Sequence, residues 1–122
     1  MTKPFFIIAS ITGFLGVALG AFGAHALKER ISEQMLQTFE TGVRYQMYHA
    51  FALFIVAWAL TQWKSSYLNY SGWLFIAGIV LFSGSLYLLA FTGQRGWGAV
   101  TPIGGLAWLL GWLSLAWGVY KA

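Results

Sequence analysis

The chain of 122 residues has no cysteine, only two prolines and only three acidic residues, and each shortage removes a class of explanation. Without cysteine there is no disulfide, no thiolate metal site and no thiol nucleophile, and the redox compartment stays open. Charged residues make up 8% of the chain against 59% hydrophobic, too little polar surface to clothe a soluble globule of this size. The seven lysines and arginines give a net charge of +4 and stand singly, which suits acidic lipid headgroups and excludes the basic cluster that nucleic acid requires.

What is present is hydrocarbon. Apolar runs occupy about residues 5–27, 46–63, 71–92 and 99–120, each reaching or approaching the roughly 20 residues a helix needs to cross a bilayer. In hydrocarbon every backbone N–H and C=O must be paired internally, so runs of this length predict helices rather than alternating barrel strands. The predicted fold is all-α: a single membrane domain over 1–122, four spans in a four-helix bundle. The second run is short and borrows residues from its flanks. Lys3 before the first run imitates a secretory signal, but the run is too long for one, and Phe22 and His25 disturb a small-residue cleavage pattern, so a retained helix is predicted.

Four spans put both termini and residues 64–70 on one side, A, and residues 28–44 and the turn at Arg95 on the other, B. Side A carries Lys3, Lys64 and Lys121; side B carries Lys28, Arg30, Arg44 and Arg95, so the positive-inside rule is near a tie and leaves orientation open, dual insertion included. About residues 30–43 are amphipathic: Ile31, Met35, Leu36, Phe39 and Val43 share one helical face, and Glu33, Gln37, Glu40 and Arg44 share the other. That pattern predicts a short interfacial helix on side B, bending at Gly42 into the second span. Its outer face suits an ordinary connector or a docking surface.

Small residues predict close packing. Gly16, Gly20 and Ala24 repeat every fourth position, and Gly104, Gly111 and Gly118 every seventh, each forming a groove along one helix face. Two such seams predict a homo-oligomer if the partner helices belong to neighbouring copies. Trp63, Trp73 and Trp97 fall near span ends, while Trp108 and Trp112 fall inside the last span, as packing groups or as an aromatic platform for a ligand.

The polar residues gather at side B: His25 ends the first span, His49 lies in the second, Tyr87 closes the third, and Thr101 with Pro102 opens the fourth. Glu40, Arg44 and Tyr45 stand nearby, so His25, His49, Tyr45, Arg44, Glu40, Tyr87 and Thr101 are the candidate ligand- or proton-binding set. Helical spacing puts Tyr45 with His49, and Glu40 with Arg44 and Tyr48, on faces that diverge. Antiparallel spans would bring His25 to His49. Structural roles compete throughout: His25 at a helix dipole end, His49 on a neighbouring carbonyl, Glu40 with Arg44 as a solvated ion pair, Ser83 and Ser85 on carbonyls of their own helix. No catalytic set, metal-ligand cluster or haem attachment motif is present, and no cofactor is predicted.

Residues 20–27 (GAFGAHAL), 41–50 (TGVRYQMYHA), 84–93 (GSLYLLAFTG) and 101–112 (TPIGGLAWLLGW) together closely resemble domain-of-unknown-function family 423, also called uncharacterised protein family 0382, with an animal relative, transmembrane protein 256. The likeness covers essentially the whole chain. It implies a multi-pass protein of the bacterial plasma membrane with four helices, and no reaction. Its motifs include His25, Arg44, Tyr45, His49, Ser85, Tyr87, Thr101 and Pro102. Three functions stay open: a non-enzymatic oligomer that binds or passes a small polar or anionic species on side B, an interaction or lipid-organising subunit, and a quinone-, haem- or lipid-dependent enzyme.

Overall fold

The computed structural model describes residues 2–122, and among these every regular element is helical. Helix α1 is Thr2–Leu27, α2 is Glu33–Gln62, α3 is Ser66–Thr92 and α4 is Thr101–Lys121, the last preceded by a single 3₁₀ segment at Arg95–Ala99. Local chemistry sets their ends. Ser32 and Ser65 adopt extended backbone and accept hydrogen bonds from Met35 N (3.1 Å) and Tyr67 N (3.2 Å), satisfying orphan donors of α2 and α3. Gly93 closes α3 in the left-handed region (φ 71°), and Pro102 lies in the first turn of α4, where a missing N–H costs nothing.

Helices α1, α3 and the run Arg95–Lys121 are long and apolar enough to cross a membrane. Helix α2 carries Gln46 and His49 mid-length, and both are buried, so these two polar groups face protein rather than lipid. The shared core is Phe5, Ala9, Ala52, Leu53, Val56, Ala57, Phe75 and Trp108. The exterior is equally apolar: Phe14 is 71%, Phe22 75% and Leu113 67% exposed, an arrangement that only lipid solvates without penalty.

Helix α2 corrects one expectation. Residues 30–43 form no separate surface helix with a bend at Gly42; α2 runs unbroken through Gly42 for 30 residues, about 45 Å. The apolar stripe faces inward, with Phe39 fully buried against the rings of Tyr87 (5.3 Å) and Phe91 (5.8 Å). Gly42 serves contact rather than curvature. A Cβ there would lie 2.8 Å from Tyr87 Cε1, and its carbonyl accepts from Ser83 Oγ at 2.7 Å.

Both glycine seams are filled within the chain. Gly16 receives Met47 and Gly20 receives Val43, pairing α1 with α2, whereas Gly104 receives the Phe82 backbone, Gly111 receives Phe75 and Gly118 receives Leu68, pairing α4 with α3. Ala24 is half-buried at the end of the first seam. These seams therefore supply no surface for a second copy. Three bonds reinforce the second: Ser71 Oγ to Gly111 O (2.8 Å), Trp108 Nε1 to Phe75 O (3.1 Å) and Ser114 Oγ to Tyr67 O (2.8 Å). Wide π-helical turns interrupt α1 at Ala18–Gly23 and α3 at Ile79–Ser83, at the same height, flanking Gly42 and Val43 of α2.

Candidate functional site

His49 is buried between α2 and α4. Its imidazole lies parallel to the Trp108 indole, with centroids 3.8 Å apart and planes within 1°. Nδ1 bonds the Tyr45 carbonyl at 2.8 Å, and Nε2 meets the indole N–H of Trp112 at 3.1 Å. An indole nitrogen can only donate, so Nε2 presents its lone pair and Nδ1 carries the hydrogen. Both nitrogens are thus engaged inside the protein, which matches the expected anchoring of His49 on a carbonyl and not the competing role of a proton-sensitive group. The pairing with His25 does not form. His25 is exposed at the end of α1, just beyond Gly23, which packs on Phe39, about 15 Å of helix axis short of His49.

A second polar chain crosses the molecule on the other side of α2. Tyr87 donates its hydroxyl to Gln46 Oε1 (2.5 Å), and Gln46 Nε2 donates to the Thr12 carbonyl (2.9 Å), linking α3, α2 and α1. The Ser85 and Thr101 hydroxyls share a 2.6 Å bond in which either can donate, Ser85 also reaching the Phe82 carbonyl (2.9 Å) and Thr101 the Trp97 carbonyl (3.5 Å), and the bond ties α4 to α3. Tyr87 and Thr101 are therefore joints between helices. Gln46 was not among the candidates, although a glutamine inside an apolar run is itself a signal that a partner exists.

Arg44, Tyr45 and Glu40 are exposed. Tyr45 and Tyr48 pack edge to face at 5.5 Å, so the sequence expectation that their faces diverge is corrected: three residues of helix turn leave them about 60° apart. Thr41, Arg44, Tyr45 and Tyr48 share one face of α2, and that face borders a lateral groove of about 710 Å³ between α2 and α4. Thr41, Tyr45 and His49 of α2 line it together with Pro102, Leu106, Trp108 and Trp112 of α4. Among the described residues no three histidine, aspartate or glutamate side chains gather as metal ligands.

The family model described as protein of unknown function DUF423 matches residues 19–105, which includes the whole of α2 and α3 and the groove residues Thr41, Tyr45, His49, Phe82, Pro102 and Gly105. The chain belongs to this family. It is 46% identical over 114 residues to the UPF0382 membrane protein YwdK of Bacillus subtilis, covering 93% of each chain. A UPF0382 membrane protein of Haemophilus influenzae is 44% identical over 100% of this chain and 98% of its own. The UPF0382 inner membrane protein YgdD of Escherichia coli is 41% identical over 99% and 93%. No solved structure matches. With its apolar helices, the chain is a multi-pass protein of the bacterial inner membrane.

Proposed function

We propose that the chain is a four-helix membrane bundle that binds rather than transforms, its α2–α4 groove holding a small amphiphile whose acidic head pairs with Arg44. The observation that carries this reading is an open groove of about 710 Å³, lined by aromatic and apolar groups, on a helix whose exposed Arg44 stands one residue before the lining Tyr45, outside the lining itself but within the reach of its long side chain. Such a groove suits an apolar body, and a guanidinium forks onto phosphate or carboxylate. Binding is favoured over turnover because His49, the one histidine bordering the groove, has both nitrogens in internal bonds and no lone pair for general-base work. The inward aim of Phe39 leaves only the polar outer face of residues 31–43 to any docking partner. Any homo-oligomer must use the outward faces of the helices, since the glycine seams are filled.

The test is spin-labelled lipid association in reconstituted bilayers. Phosphatidylglycerol should be motionally restricted in preference to phosphatidylcholine, and Arg44→Gln should reduce the preference by about tenfold, the effect of losing one charge-assisted pair. Lys64→Gln, on side A, should keep it. Equal association of both lipids with the unaltered protein would refute the reading.

A further inference from the structure

On the opposite flank of α2 from the His49 groove, α1 and α3 stand apart around a cleft of about 390 Å³. Leu15, Leu19, Ile76 and Val80 form its walls, and Gln46 with Tyr87 lies at its base. Leu15 and Val80 are 47% and 64% exposed, so the cleft opens sideways to the acyl chains rather than to water. The wide turn Ile79–Ser83 borders it and leads directly into Gly84, a lining residue whose added Cβ would meet nothing within 4 Å.

At the base lies a polar group with capacity left over. The Gln46 side chain is 96% buried, being 4% exposed, and its amide has two N–H donors and two acceptor lone pairs. One N–H goes to the Thr12 carbonyl and one lone pair receives the Tyr87 hydroxyl. A second donor and a second acceptor remain on a side chain that lines an otherwise hydrocarbon space, where the acyl chain of a lipid satisfies neither.

We infer that this cleft is a binding site for a neutral lipid bearing a hydroxyl head, the hydroxyl accepting from Gln46 Nε2 and donating to Gln46 Oε1 while the chain leaves between Leu15 and Val80. A hydroxyl supplies the donor and acceptor together, which a carbonyl does not. No charged side chain lines the cleft, so an ionised head has no counter-charge there. The site is independent of the groove assigned to Arg44.

A photoreactive hexadecanol, reconstituted with the full chain and mapped by peptide mass spectrometry, tests the assignment. Labelling should be saturable on the α1 and α3 segments that hold Leu15 and Val80, displaced by hexadecanol and unaffected by hexadecane. Gly84→Leu, whose Cβ meets nothing within 4 Å, places its side chain into the cleft and should lower labelling about tenfold or more, as should Gln46→Leu through loss of the hydrogen-bonding pair. Arg44→Gln should leave it unchanged, which separates this site from the other. Should Gln46→Leu fail to fold, Gly84→Leu carries the test alone. Labelling that does not saturate, that hexadecane displaces equally well, or that survives Gly84→Leu overturns the inference.

Discussion

A tryptophan N–H has no lone pair to offer, and at Trp112 that single fact determines where the hydrogen of His49 sits. The ¹⁵N spectrum of labelled His49 at neutral pH should show the Nδ1–H tautomer, and Trp112→Phe should release the ring toward the Nε2–H form. A dominant Nε2–H form in the unaltered protein would contradict the observed contacts. Removing the indole donor leaves a buried nitrogen unsatisfied, so Trp112→Phe should also cost roughly 1–3 kcal/mol in unfolding from mixed micelles. His49 was visible in the sequence as an ionisable residue in a span, and its bond to a carbonyl was among the expected roles, but its tryptophan partners were not. These partners, Trp112 and Trp108, come from a helix about 60 residues later, and no local spacing points to them.

At the scale of the helix, glycines separate into two kinds. A Cβ at Gly104 would strike the Phe82 backbone and one at Gly78 the Trp108 ring, whereas one at Gly13 meets nothing within 4 Å. Gly104→Ala should therefore destabilise by about 1–3 kcal/mol, because a backbone cannot step aside, while Gly13→Ala should be neutral or stabilise by up to about 1 kcal/mol. Denaturant unfolding of both variants checks this, and equal effects would sink the packing account. The four-residue and seven-residue spacings made these seams legible, since small residues on one face mean close approach whichever helix answers. The identity of the partner was not legible: spacing cannot distinguish a neighbouring copy from the next helix in the same chain. The break expected at Gly42 failed for a related reason. A glycine at the junction of amphipathic and apolar segments reads equally well as a hinge or as a contact, and the Tyr87 ring from α3 decides for contact.

At the scale of the whole molecule, hydrophobic run length revealed the all-helical class and the membrane, because bilayer thickness fixes how long such runs must be, and three of the expected spans are long and apolar enough to cross it. Residue 46 was the weak point: Gln46 and His49 lower the apolarity of α2, and only shielding by the surrounding helices reconciles them with a position among membrane-spanning neighbours. The cysteine-free chain allows a clean topology measurement. Single cysteines replacing Ser66 and Arg95 should react with an impermeant maleimide from opposite sides of the membrane, and reaction from the same side would exclude the crossing pattern. Reaction of each from both sides would identify dual insertion, which the near tie in positive charge permits.

The central claim, that the α2–α4 groove holds an acidic amphiphile at Arg44, is most directly tested by native mass spectrometry of the protein released gently from its own membrane. The account predicts a defined added mass of an acidic lipid on the unaltered chain and its loss from Arg44→Gln. Unmodified chain alone, or a heterogeneous lipid mixture unchanged by Arg44→Gln, would contradict it.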